Sequence, residues 1–99
     1  DMEERYRLII STILNAIGCQ VEVEHMLSTG RIDIVASTSR FIYVMELKLT
    51  NNGGINAAEK QIINNGYLKP FLADDRKVIG LAIELDDKGK GLIDWKEVQ

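Results

Sequence analysis

The stretch GRIDIVASTSRFIYVMELKL, residues 30–49, decides the fold of this chain. It contains two runs rich in isoleucine, valine, phenylalanine and tyrosine, at residues 31–36 and 41–49, which only the polar residues 37–40 separate. Such side chains are enriched in strands, and a short polar segment between two strands is typical of a hairpin. The sequence therefore predicts an antiparallel pair of strands, the second of which is long and central.

Both predicted strands carry charged residues inside apolar runs. Asp33 lies between Ile32 and Ile34, while Glu46 and Lys48 are two residues apart in the second strand and therefore share one of its faces. Burying a charge costs free energy unless the charge is paired or binds a metal. For Glu46 and Lys48 alone, an ion pair in the core or a strand end that emerges into water remains an alternative to a functional site.

The predicted hairpin brings the charges of its two strands together. A turn over residues 37–40 would pair Ala36 with Phe41 and place Asp33 opposite Val44. On that register Asp33 lies diagonally from Glu46 on the same face, about 7 to 8 Å away between backbones, so that the two side chains can share one ion. Two carboxylates in a covered pocket repel each other unless a cation intervenes. A divalent ion such as Mg²⁺ supplies that charge and retains waters for a phosphate and a nucleophile.

The rest of the chain supplies two helices and three more strands. Residues 2–17 carry apolar side chains at the spacing of an amphipathic helix. Its predicted apolar stripe consists of Tyr6, Ile9, Ile10, Ile13, Leu14 and Ile17. Residues 21–25 alternate as a first strand, residues 57–66 predict a second helix, and residues 78–85 and 91–98 predict two last strands, with Trp95 expected in the core. The result is an α/β fold with a mixed sheet, in which the crossover helix makes the third and fourth strands parallel.

Composition limits the class of protein. A chain of 99 residues suits one domain, so residues 1–99 are predicted to form a single unit. The one cysteine, Cys19, cannot form an internal disulfide. The sequence has no apolar run of membrane length and no signal-like start, so we expect neither a membrane span nor a secretory signal. A cytoplasmic location is therefore the default. The net charge of −3 argues against binding nucleic acid through bulk positive charge, but it leaves room for a local basic groove. Because the first residue is Asp1, we expect that the domain was excised from a longer chain.

The ordered set of G-R-I-D at residues 30–33 and E-L-K at residues 46–48 resembles the D…E-x-K signature of the PD-(D/E)xK nuclease superfamily. The predicted element order is similar to the restriction-endonuclease-like αβββαβ core of that superfamily, a mixed central sheet flanked by helices, over essentially the whole chain. The segments GRIDIV, FIYVMELK, AEKQI with Gly66 and Tyr67, and DRKVI most resemble uncharacterised bacterial nuclease-like domains that commonly follow an ATPase-like domain. The resemblance thus implies an ATPase-like domain in the same full-length chain.

The resemblance also implies an activity and its residues. It implies hydrolysis of phosphodiester bonds in DNA or RNA that depends on Mg²⁺ or Mn²⁺. Asp33 and Glu46 would bind the metal, with the Leu47 carbonyl as a third ligand. Lys48 would stabilise the attacking hydroxide or the charge that develops on the phosphate.

Two further residues complete the implied site. Glu3 lies on the apolar stripe of the first helix, one turn before Tyr6, and is preferred over Glu4 as an acidic site residue. A favourable charge at the helix N-terminus is the alternative role for either glutamate. Gln61, on the apolar face of the second helix, matches a polar active-site position of superfamily members. Its spacing to Tyr67 is looser than the Q-x-x-x-Y of some relatives, and a plain surface glutamine is the alternative.

The main alternative is that the domain has this fold but no catalytic activity. Folds outlast their activities, so a catalytically inactive module that binds nucleic acid or docks to a partner remains open. A structural domain in which Glu46 and Lys48 form an ion pair is a third hypothesis. Because the surface is small and acidic, we expect that a homodimer or an attached domain helps to hold the nucleic acid.

Overall fold

The computed structural model describes residues 1–99 and contains a mixed sheet of five strands with one α-helix on each face. The helices are α1 (Met2–Ala16) and α2 (Gly54–Asn64), and neither has the length and apolar run needed to cross a membrane. The strands are β1 (Gln20–Leu27), β2 (Gly30–Ser37), β3 (Phe41–Leu49), β4 (Lys77–Leu85) and β5 (Leu92–Val98). Short 3₁₀ turns lie at Thr50–Asn52 and Lys69–Phe71. This order confirms the predicted succession of elements.

The strands lie side by side in chain order from β1 to β5. β3 and β4 run parallel, while the other neighbouring strands are antiparallel. Helix α2 is therefore the crossover that the sequence predicted between the third and fourth strands. β3 occupies the centre of the sheet, and its burial confirms that both of its faces are covered.

Side chains of β3 alternate between two cores because successive residues of a strand point to opposite faces. The core beneath α2 contains the buried side chains Ile42, Val44, Ala58 and Ile62. The core beneath α1 contains the buried side chains Tyr6, Met45, Leu47 and Leu49. Glu46 and Lys48 continue the row of Ile42 and Val44 towards the C-terminal end of the strand. The row thus changes from apolar to charged where β3 no longer pairs with β2 but still pairs with β4.

The predicted register of the β2–β3 hairpin is wrong by two residues. Ala36 pairs with Tyr43 rather than with Phe41. The turn causes the difference, because the N–H of Thr38 donates to the carbonyl of Phe41 and the Thr38 hydroxyl accepts from the Phe41 N–H. The turn therefore extends through Phe41. A slip of two residues keeps every side chain on its predicted face, since the strand repeat is also two residues.

Part of the predicted apolar stripe of α1 faces outward. Tyr6 is buried, and Ile10 and Leu14 pack against the same core. The remaining members of the stripe are more than half exposed: Ile9, Ile13 and Ile17. The prediction was wrong for these three because α1 lies on β1, β2 and β3 with one side only. It was also wrong for Trp95, which is 58% exposed on the edge strand β5.

Candidate metal and active site

At the end of the β2–β3 ladder, the side chain of Asp33 accepts a hydrogen bond from β3 in place of a backbone carbonyl. Regular pairing ends at Ile34 and Met45. Further along β3, the N–H of Leu47 donates to Oδ2 of Asp33 at 2.8 Å. The sheet itself thus holds the carboxylate in place. Continuing the observed register by one residue brings Asp33 opposite Glu46, instead of diagonally across from it as predicted.

Glu46 is a buried carboxylate with an unsatisfied oxygen. The residue is 2% exposed, and its Oε1 atom has no hydrogen-bond partner. Burial and, second, the charge of Asp33 raise the pKa of Glu46 well above its ordinary value of 4.5, although Lys48 acts in the opposite direction. An unpaired buried oxygen beside a second carboxylate marks a position where a cation would be stabilising.

Lys48 lies beside Glu46 without satisfying it. Its Nζ atom is 3.9 Å from Oε2 of Glu46, a distance that allows an ion pair but is too long for a hydrogen bond. The Lys48 side chain is 22% exposed, so the amine also reaches solvent. Lys48 therefore lies within ion-pair distance of Glu46, as the sequence allowed, but it leaves Oε1 of Glu46 without a partner.

Glu3 lies in the first turn of α1, close to this end of the sheet. Burial and, second, the charge of Asp33 raise the pKa of Glu3 above its ordinary value, so Glu3 lies within electrostatic reach of Asp33. Glu4, by contrast, has a side chain that is 65% exposed. The hydroxyl of Tyr6 ties the N-terminal part of α1 to the end of β4 by donating to the carbonyl of Asp86 at 2.8 Å. Glu3 therefore stays the predicted acidic site residue from the first helix, with Glu4 facing solvent.

Gln61 belongs to a hydrogen-bonded cluster around Tyr67 and is not bonded to the carboxylates. The buried hydroxyl of Tyr67 accepts from Nε2 of Gln61 at 3.0 Å and donates to the carbonyl of Arg31 at 3.1 Å. A Cβ atom at Gly30 would lie 2.6 Å from this hydroxyl, so only glycine allows the close approach. The cluster supports the start of β2, two residues before Asp33. Any contribution of Gln61 to the site through these contacts is indirect.

We expect Tyr67→Phe to lower the free energy of unfolding by about 1 to 2 kcal/mol, because it leaves the Arg31 carbonyl and the Gln61 amide without their partner. Urea denaturation measures the change. Tyr43→Phe, at a half-buried tyrosine of β3 outside the cluster, is the matched control and should have a smaller effect. Equal losses in both variants would show that the hydrogen bonds of Tyr67 contribute nothing specific.

Arg7 and Glu24 border the site, and neither was predicted as a site residue from the sequence. Nη1 of Arg7 lies 3.5 Å from Oδ1 of Asp33, and Nη2 lies 2.8 Å from Oε1 of Glu24. A cleft of about 460 Å³ opens beside them, and Glu3 and Arg31 contribute to its lining. One sequence signal could have found Arg7: it follows Glu3 by four residues and therefore shares the same face of α1.

The donor set fits a hard divalent cation that uses few protein ligands. Asp33 and Glu46 supply two carboxylates, one with an unpartnered buried oxygen, and Mg²⁺ and Mn²⁺ prefer oxygen ligands. No three or more His, Cys, Asp or Glu side chains cluster closely enough to hold an ion together. The remaining ligands would therefore be backbone carbonyls and water, as is common for Mg²⁺.

Sequence comparison agrees with this geometry. A family model described as the PD-(D/E)XK nuclease superfamily matches residues 1–95. A comparison with curated proteins gives no match. The mixed sheet of five strands and its two helices agree with a restriction-endonuclease-like α/β fold. The chain therefore belongs to the PD-(D/E)XK nuclease superfamily.

Proposed function

We propose that this domain hydrolyses phosphodiester bonds in DNA or RNA with Mg²⁺ or Mn²⁺ bound between Asp33 and Glu46. The observation that carries the proposal is the buried, unpartnered Oε1 atom of Glu46 beside a second carboxylate. Lys48, at 3.9 Å from the other oxygen, only partly compensates the charge. Membership in a nuclease superfamily supports the phosphodiester as the bond that is cleaved.

The proposed roles follow from position. Asp33 and Glu46 would hold the cation together with the Leu47 carbonyl, and a bound cation activates water and polarises the phosphoryl oxygen. The Lys48 amine lies next to Glu46, where it would stabilise an attacking hydroxide or the developing phosphate charge. Glu3, near Asp33, would orient water in the same site.

We expect Lys48→Met to slow cleavage by about 10²- to 10³-fold, the usual effect of removing one electrostatic group from an active site. The substrates are a plasmid, single-stranded DNA and a structured RNA, each with Mg²⁺, Mn²⁺ or EDTA. Wild type should cut at least one of them with metal and none with EDTA. Lys90→Met, at an exposed lysine after β4, is the control and should cut like wild type.

The same assay separates catalysis from binding alone. If wild type binds these nucleic acids tightly but cuts none of them with any metal, the domain is an inactive binding module. Equal cleavage by wild type and Lys48→Met would contradict the role of the lysine while leaving a metal-dependent nuclease in place.

Partners and location form a further part of the proposal. A net charge of −3 leaves little positive surface for a nucleic acid, so we propose that a homodimer or an attached ATPase-like domain contributes to substrate binding in the cytoplasm. Sedimentation of the active protein measures its oligomeric state. A monomer that cleaves well would contradict the homodimer.

A further inference from the structure

Arg7 is a largely buried cation in contact with the proposed metal ligand Asp33. Its side chain is 12% exposed, and its guanidinium lies 2.8 Å from Oε1 of Glu24, 3.5 Å from Oδ1 of Asp33 and 3.9 Å from Oε1 of Glu4. The contact with Glu24 is the shortest of these three ion pairs, and the contact with Asp33 is longer. Glu24 therefore anchors the guanidinium, and Asp33 is its weaker partner.

β1 is distorted at the residue that anchors Arg7. Glu24 has a φ of 54° and is the only residue other than glycine with a positive φ. The β1–β2 pairing includes Val23 and His25 but omits Glu24, the residue that lies opposite Asp33. Residues other than glycine rarely adopt this left-handed backbone conformation, and such distortions cluster at functional sites. Here the distorted residue directs its carboxylate at Arg7.

We propose that Arg7 contacts the substrate phosphate and that, in the metal-free protein, it is the counter-ion of Asp33. The inference rests on the function proposed above. In the observed arrangement Arg7 lies against Asp33, whose side chain is 6% exposed. With a divalent cation on Asp33, Arg7 would lose this partner, stay paired with Glu24 and be free to turn into the adjoining cleft.

Chemistry and position support the contact with phosphate. A guanidinium donates two parallel hydrogen bonds, which match two oxygens of one phosphate. The cleft of about 460 Å³ beside Arg7 is also lined by Arg31, whose Nη1 atom is 3.6 Å from Glu24. Lys48 pairs with Glu46 instead. Arg7 thus lies between the proposed metal ligands and the open space that a substrate would enter.

The first test measures metal binding by itself. Titration calorimetry compares the Mn²⁺ affinity of Arg7→Met with that of Arg5→Met, a matched control that removes the same charge from an exposed position of α1. We expect Arg7→Met to bind Mn²⁺ about 2- to 5-fold more tightly than the control, because an ion pair of ordinary strength no longer competes for Asp33.

The second test measures contact with phosphate. Fluorescent DNA duplex, single-stranded DNA and an RNA hairpin are titrated over a range of salt concentrations with Ca²⁺ in place of Mg²⁺. We expect Arg7→Met to bind more weakly and to reduce the salt slope by about 1, the signature of one lost phosphate contact. Arg7→Lys keeps the positive charge but lacks the two parallel N–H donors of the guanidinium. It should therefore retain wild-type Mn²⁺ affinity and bind nucleic acid with intermediate strength.

Each outcome decides the proposal. Tighter Mn²⁺ binding together with a smaller salt slope in Arg7→Met supports it. Mn²⁺ affinity equal to that of Arg5→Met, or an unchanged salt slope, overturns it while the proposed nuclease function stands. If Arg7→Met does not fold, Arg7→Lys with full nucleic-acid affinity overturns it. Wild-type protein that binds no Mn²⁺ overturns both this inference and the proposed function.

Discussion

Asp33→Asn should abolish metal-dependent cleavage, with a loss of about 10³-fold or more, because a catalytic metal contributes several kcal/mol and each 1.4 kcal/mol is tenfold in rate. The asparagine has the same shape, and its side-chain oxygen can still accept the Leu47 N–H that Asp33 accepts at 2.8 Å. The hairpin should therefore keep its geometry. What is lost is the negative charge that would hold the cation.

Single-turnover rates at saturating Mg²⁺ measure this effect, and circular dichroism checks that the variant is folded. Asp94→Asn, at an exposed position of the edge strand β5, is the matched control, since it makes the same chemical change far along the sheet. The control should cut at the wild-type rate. Cleavage by Asp33→Asn within tenfold of wild type would show that Asp33 is not a metal ligand.

The metal-free protein should become less stable as pH rises, and Glu46→Gln should remove most of this loss. Burial and Asp33 raise the pKa of Glu46 from 4.5 to about 9. Between these values the folded protein retains a proton that the unfolded chain has released, so the free energy of unfolding falls with increasing pH. At pH 8 we expect Glu46→Gln to be more stable than wild type by up to about 5 kcal/mol, although it has lost a proposed metal ligand and should be inactive.

Urea denaturation in EDTA at pH 4 and pH 8 measures this prediction. The two proteins should differ little at pH 4, where the glutamate is protonated in both the folded and unfolded states. Glu97→Gln, at an exposed position of β5, is the control and should have the same free energy of unfolding as wild type at both pH values. Adding Mn²⁺ at pH 8 should stabilise wild type but not Glu46→Gln. Equal pH dependence of wild type and Glu46→Gln would show that Glu46 is an ordinary carboxylate.

The central features of the site could be predicted from the sequence because they depend on strand alternation. Glu46 and Lys48 share a face by the two-residue period, and the apolar neighbours of Asp33 mark its burial. The register was wrong because the Thr38 hydroxyl closes a longer turn. The error did not separate Asp33 from Glu46, since a slip of two residues preserves the face of each side chain.

The features that could not be predicted depend on contacts between distant parts of the chain. Arg7 meets Asp33 only because α1 packs across β1, β2 and β3, and Glu24 reaches Arg7 through a backbone conformation that its residue type does not favour. Periodicity likewise predicted that α1 is amphipathic, but not how much of its stripe the sheet would cover. Ile9 and Ile13 are therefore exposed.

The most direct test of a metal ion held between Asp33 and Glu46 is a titration of cleavage rate against Mg²⁺ after the protein has been stripped with EDTA. We predict no cleavage before Mg²⁺ is added, a saturable rise in rate for wild type, and no rise for Glu46→Gln at any Mg²⁺ concentration. Cleavage that persists in EDTA, or a Glu46→Gln variant that responds to Mg²⁺ as wild type does, would contradict a cation held by these two carboxylates.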